Sequence, residues 1–275
     1  MKFMIRCDVE GVTGVTTYHQ AESTAFGRDM LMNDLNAAIA GLLATGDHEI
    51  VVYDEHTDGR NVLLDQLPDA VSVICGKPLY RAEWGGIDAS FDAMLMVGFH
   101  ARAGVKGALL PHSYSLRNLR LAVNDFELGE IGMEAAVAGD FGIPVWLITG
   151  DSAGMAEAEA ILPGVRTVTV KEAMGESAAL CHSPRRTARL IEQAARDIVA
   201  SPPPVQPLSF SHPAKLDIRI EEGRFLQALR DLCPDSFVGL QELRFMADTV
   251  TAAWSDFLHL QAEAEKALIN PPNGF

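Results

Sequence analysis

Through the first 200 residues, unbroken apolar runs alternate with segments of helical period. KFMIRCD, residues 2–8, predicts a strand that runs straight into a carboxylate. AFGRDMLMNDLNAAIAGLLAT, residues 25–45, spaces Leu31, Leu35, Ala38, Ile39 and Leu42 on one helical stripe and stops before Gly46. EIVVYDEH, AVSVICG and FDAMLMVGFHA predict three further strands, and LRNLRLAVND a fifth. GEIGMEAAVAGDFG reads as a helix, IPVWLITGD as a strand, AGMAEAEAIL as a helix and RTVTVKE as a strand. PRRTARLIEQAARDIVAS then reads as an amphipathic helix. Strands of continuous apolar character between helices predict an α/β domain, its sheet mostly parallel with helices on both faces.

SPPPVQP, residues 201–207, breaks the pattern, because consecutive prolines cannot continue a helix. The chain therefore divides into an α/β metal-binding catalytic domain over 1–200 and a small α+β C-terminal domain over 208–275. The latter holds a strand at AKLDIRI, a helix at GRFLQALRDLC and a long helix over 246–268. Met246, Val250, Trp254, Phe257 and Leu258 fall near one side of that long helix.

Composition narrows the function classes. The net charge is −15, from 37 acidic and 22 basic side chains, which argues against nucleic acid and anionic membranes as partners. No apolar stretch is long enough to span a bilayer, and the N-terminus lacks the pattern of a signal peptide. Cys7, Cys75, Cys181 and Cys233 form no CxxC pair, so scattered buried thiols in a reducing cytoplasm are expected.

The strand ends gather the chemistry. Asp8 and Glu10, one residue apart, share a face if the first strand persists that far. Two carboxylates there repel one another unless a cation lies between them. His56 follows the second strand beside Asp54, Glu55 and Asp58, and His100 follows the fourth. Carboxylate and imidazole at carboxyl strand ends are a ligand set that suits zinc. Glu130 opens a predicted helix, where a glutamate also answers the helix dipole, and Glu127 and Glu134 compete with it. His112 sits in a loop after Pro111.

In order, the motifs are Asp8-x-Glu10-Gly11-Val12-x-Gly14, Asp54-Glu55-His56, Gly98-Phe99-His100-Ala101-Arg102, Pro111-His112-Ser113, Asn124-Asp125 and Gly129-Glu130-Ile131-Gly132. Together they resemble the zinc D-aminopeptidase family. The resemblance implies two zinc ions per subunit, with Asp8 bridging them. Glu10 and His56 would complete one site, His100 and Glu130 the other, and His112 would be the catalytic histidine. It also implies a ring-shaped decamer that releases N-terminal residues from short peptides, with D-residues preferred. Two loops depart from the family: Pro111 and Tyr114 flank His112, and VTTYHQAEST, residues 15–24, is this chain's own. Both are expected to line the substrate pocket.

The expected reaction is metal-dependent peptide hydrolysis by a water bridging the two ions. Asp58 and Asp125 are candidates to pair with the substrate amine. Two rivals stay open. One is another dinuclear metallohydrolase, an amide deacylase or a phosphoesterase, for which Arg102 and Lys106 are the nearest basic pair. The other is a non-catalytic, metal-stabilised peptide-binding assembly.

Overall fold

The computed structural model of the chain describes residues 1–269. Residues 270–275, the last of the expected appendage, lie outside the described residues. In chain order the elements begin with β1 (Lys2–Cys7), α1 (Tyr18–Ser23), α2 (Ala25–Leu43), β2 (Glu49–Asp54), β3 (Val71–Ile74) and β4 (Ala93–Phe99). There follow β5 (Asn118–Val123), β6 (Phe126–Leu128), α3 (Glu130–Asp140), β7 (Val145–Asp151) and α4 (Ser152–Ile161). The chain continues through β8 (Arg166–Ala173), β9 (Ala179–Cys181), α5 (Pro184–Ala200), β10 (Ala214–Ile220), α6 (Arg224–Leu232), β11 (Glu242–Ala247) and α7 (Val250–Ile269).

A seven-stranded sheet runs β3-β2-β1-β4-β7-β8-β9, parallel throughout except for β9. Its central strands are apolar because both faces are covered: every residue of β4 and β7 is buried. Progress leftward from β1 to β2 and rightward from β4 to β7 places the crossover helices on opposite faces. α2 and α5 pack together on one face, so closely that a Cβ at Gly41 would meet the Glu192 carbonyl. The strand order reverses between β1 and β4, a switch point where open α/β sheets bind ligands outside their carboxyl ends.

The second sheet, β11-β10-β5-β6, is antiparallel and crosses the expected division of the chain. LRNLRLAVND is a strand as expected, but it pairs with β10 rather than with the parallel sheet. The proline segment is extended, yet it is no loose tether. At Leu208 the backbone passes against α3, where a Cβ on Gly139 would strike the Leu208 carbonyl. One continuous core joins Phe3 and Leu95 of the large sheet to Leu216 and Phe245 of the small one.

The last helix starts later than its apolar spacing predicts. Met246 lies on β11, paired with Lys215, and α7 begins at Val250 after the Thr249 hydroxyl accepts from the amide of Ala252. Among the thiols only Cys7 is buried; Cys75 and Cys181 are exposed, and all four are unpaired. Among the described residues no helix is long and apolar enough to cross a membrane.

Candidate metal centre and its cavity

β1 ends at Cys7, so strand alternation does not bring Asp8 and Glu10 together. A tight turn does. The Asp8 amide donates to Val97 O at 2.9 Å and the Gly11 amide to Gly98 O at 2.7 Å, pinning the turn against the end of β4. Both glycines are required there. A Cβ on Gly11 would lie 1.9 Å from Phe99 O, and one on Gly98, at φ +83°, would lie 2.2 Å from Asp8 O. The crossing sets His100, just past β4, beside Asp8.

Buried counter-charges hold the turn from behind. Lys171 of β8 is fully buried and donates through Nζ to the carbonyls of Glu10, Val12 and Val15 at 2.6, 2.7 and 2.5 Å. Burial pulls its pKa down to about 8, against the opposing pull of Asp151, Asp34 and Glu10. Asp34 of α2 accepts from the amide and hydroxyl of Thr13 at 2.8 Å each. The His56 loop is tied in the same manner. Asp54 accepts from the amides of His56, Asn61 and Val62 at 3.2, 2.5 and 3.2 Å. Asp54 is therefore structural, Glu55 pairs with Arg6 at 2.6 Å, and Asp58 is exposed beside Arg60.

The five expected ligands converge. His56 Nδ1 lies 3.1 Å from Asp8 Oδ1 and 3.0 Å from Glu10 Oε2. His100 Nε2 lies 3.4 Å from both Asp8 Oδ2 and Glu130 Oε1. Asp8 thus turns one oxygen to each imidazole. His100 Nδ1 donates to Ala101 O at 2.9 Å, which leaves the Nε2 lone pair for the cluster. His112 stacks on His100 with centroids 4.3 Å apart, and its Nε2 lies 3.6 Å from Glu130 Oε1 and 4.0 Å from Glu10 Oε1. Its Nδ1 donates to Leu110 O at 3.1 Å. Glu130 is the first residue of α3, and its Oε1 also accepts from the Tyr114 amide at 2.6 Å.

These residues suit a metal. Asp8 Oδ2, Glu10 Oε2, His56 Nε2 and His100 Nε2 are buried with no hydrogen-bond partner, a costly arrangement without a cation. Ligand atoms of Asp8, Glu10 and His100 lie within 4.8 Å of one another, as do those of His100, His112 and Glu130. Burial disfavours the imidazolium of His56, but the bonds and charges of Asp8 and Glu10 outweigh it and push its pKa up to about 11. Burial raises the carboxyl pKa of Asp8, yet His100 and His56 more than reverse this and hold it well below the usual range. Positive charge is what this cluster lacks.

The cluster forms one end of a cavity of about 820 Å³. Tyr18 and Glu22 from the 15–24 loop and Tyr114 from the His112 loop line it, as expected of the two divergent loops. Residues 18–23 form a short helix, α1, capped by Thr17. Beneath Tyr114 lies a network that spacing alone did not show. The Tyr114 hydroxyl donates to Glu134 Oε1 at 2.5 Å, and the buried guanidinium of Arg6 bridges Glu134 and Glu55. α7 supplies the far wall with Trp254 and Leu258. Asp125 is exposed and pairs with Lys215 at 2.7 Å, and neither Asp58 nor Asp125 lines the cavity. Arg102 turns to Glu127 at 2.9 Å, away from the cluster, and Lys106 is exposed. Lys171, Asp34 and the α7 wall escaped the sequence reading, and the only signal for Lys171 was a lysine inside an apolar strand.

Comparison with known proteins gives the same reading. The sequence profile of the D-aminopeptidase family matches residues 1–257. D-aminopeptidase of Bacillus subtilis (strain 168) is 30% identical over 267 residues, covering 94% of this chain and 96% of that protein. The structure of the Zn-dependent D-aminopeptidase DppA from Bacillus subtilis, described as a self-compartmentalizing protease, superposes with a TM-score of 0.89 at 26% identity. That match covers 97% of this chain and 98% of the other. With the fold, the switch-point location and the ligand cluster in agreement, this chain belongs to the D-aminopeptidase family.

Proposed function

We propose that the protein is a zinc-dependent aminopeptidase that removes N-terminal residues from short peptides at a dinuclear centre. The observation that carries this is the paired arrangement around Asp8. One Asp8 oxygen faces His56, which also meets Glu10, the other faces His100, which also meets Glu130, and four buried polar atoms of these residues have no hydrogen-bond partner. Asp8 would serve both ions, with Glu10 and His56 holding one and His100 and Glu130 the other. When bound, the zinc ions polarise a carbonyl and make water acidic enough to attack near neutral pH.

The chain's own residues do the rest. The Tyr114 amide orients Glu130, and Ala101 O fixes the tautomer of His100. His112 sits at the open side of the cluster with Nδ1 committed to Leu110 O. Its Nε2 takes a proton from the attacking water and passes it to the departing amine. The cavity accommodates a short peptide, and neither Arg102 nor Lys106 lines it, which disfavours a phosphoesterase built on that pair.

The self-compartmentalizing relative supports assembly of this chain into a closed oligomer, which we take to be a ring-shaped decamer. Four unpaired cysteines favour a cytoplasmic location. The test is anomalous scattering at the zinc edge together with hydrolysis of D-alanyl peptides, L-peptides, acyl amides and aryl phosphates. Two ions per subunit and turnover of free-amine peptides are expected. Faster turnover of the amides or phosphates would favour the rival hydrolases, and firmly held zinc without turnover the binding assembly.

A further inference from the structure

The metal cluster accounts for the reaction, but not for the large apolar side chains that line the rest of the cavity among Lys77, Arg117 and Glu265. Trp254, Leu258, Gln261, Ala262 and Glu265 all line it, at intervals that keep them on one stripe of α7. Over these residues the helix advances roughly 16 Å at 1.5 Å per residue, enough to run alongside a peptide of a few extended residues. Trp254 is the fixed end of the stripe. It is buried, with its ring 4.7 Å from Tyr114 and 5.4 Å from Phe257. Leu258, one turn outward, is only partly covered. Leu79 and Leu116 are 68% and 60% exposed and line the same cavity. Large apolar side chains left open to solvent beside a reactive centre have a use when a ligand covers them.

We infer that α7 is the specificity wall of the enzyme, with Leu258, backed by Trp254 and sharing the cavity with Leu79 and Leu116, receiving an apolar side chain of the bound peptide. This rests on the peptidase reading for the substrate's identity. The geometry assigns the role through continuity: Tyr114 touches the ligand Glu130 through its amide and Trp254 through its ring, so the wall begins where the metal cluster ends. A hydrophobic pocket of this kind discriminates side chains by tenfold or more for small changes in size.

The test compares wild type with Leu258→Trp and Leu258→Ala, each checked for zinc content. The ratio of kcat/KM for a Phe-Ala dipeptide to that for Ala-Ala, in the chirality the wild type accepts, is the readout. Leu258→Trp fills the wall and is expected to lower that ratio at least tenfold, while Leu258→Ala holds or raises it. Binding of free phenylalanine against alanine to the zinc-loaded protein, by calorimetry, gives the same ratio without turnover. Loss of peptide hydrolysis in the wild type would therefore sink the peptidase reading and still leave the wall to be judged. A merely structural Leu258 would lower both substrates alike in both variants, and that outcome overturns the inference.

Discussion

At the floor of the cavity, atoms are fixed by direction; along α7 they are placed by shape. The floor loops hang on buried charges: Lys171 takes three carbonyls, Asp34 takes Thr13 twice, and Asp54 takes three amides. On α7 the comparable anchor, Asp140 accepting from the amide and hydroxyl of Thr251 at 2.7 Å each, sits in the first turn, before the residues that line the cavity. Trp254 and Leu258 present ring and aliphatic surface, and their neighbours are other apolar groups. Chemistry at a metal centre fails when a ligand moves by a fraction of an ångström, whereas an apolar wall tolerates repacking. The two regions should therefore break differently.

The sharpest contrast comes from the histidines. Replacing His56 or His100 by Ala is expected to strip zinc and lower activity roughly a thousandfold or more, since several kcal/mol of Lewis-acid stabilisation go with the metal. His112→Ala should keep its zinc and lose roughly a hundredfold in kcat, the scale of one general acid–base group. Zinc content measured beside peptide hydrolysis separates the two cases. His112 Nε2 stands close enough to Glu130 to serve as a ligand, so zinc loss in His112→Ala would move it from the proton-transfer role to the metal shell.

The same contrast explains what could be read without coordinates. Ligand chemistry is local: few residue types bind zinc, and they stand at the ends of apolar runs that the sequence displays, as at Asp8, His56 and His100. The parallel sheet was legible for the same reason, since β4 and β7 are unbroken apolar runs. The wall is not local. Trp254 lies 140 residues beyond Tyr114, and long-range ties, the pairing of β5 with β10 and the bonds of Thr251 to Asp140, bring the C-terminal segment back to the cavity. Its spacing reads equally as a core stripe, and Met246 fits the helical spacing although it lies on β11, because strand and helix patterns overlap at a boundary. Glu134 faced the same ambiguity. One turn from Glu130 it shares the face, but the guanidinium of Arg6, invisible from β1 alone, claims it for the fold.

Lys171 probes the floor without touching a ligand side chain. Lys171→Met retains volume and removes the donor, leaving three buried carbonyls unsatisfied at about 1–3 kcal/mol each. Unfolding free energy is expected to fall by on the order of 3 kcal/mol or more. Zinc affinity should drop roughly tenfold to a hundredfold as the Glu10 loop loosens. Denaturant melts and chelator competition measure the two. A variant with wild-type stability and zinc affinity would show that the glycine crossing against β4 and the Asp34–Thr13 bonds hold the turn without Lys171. Leu258→Ala, made in the wall, is expected to leave chelator competition unchanged.

The smallest effect is a count of protons. In the metal-free protein the carboxylates around His56 overcome burial and raise its pKa to about 11, and Glu130 and Asp8 raise His100 against its own burial. His56 thus carries a proton at neutral pH, and zinc takes an imidazole only as a neutral ligand. Loading the centre should release about one proton per subunit from His56, and affinity should strengthen as pH rises. The linkage to stability has the opposite sign. A raised folded pKa means that the His56 contribution is complete below its ordinary 6.5 and is lost as pH climbs toward about 11. Alkaline buffers therefore weaken the metal-free protein while they favour loading. Calorimetric titration with zinc in buffers of differing ionisation enthalpy gives the count. Release of no protons would mean that the imidazoles are neutral before the metal arrives, and that the floor is set by hydrogen bonds rather than by charge.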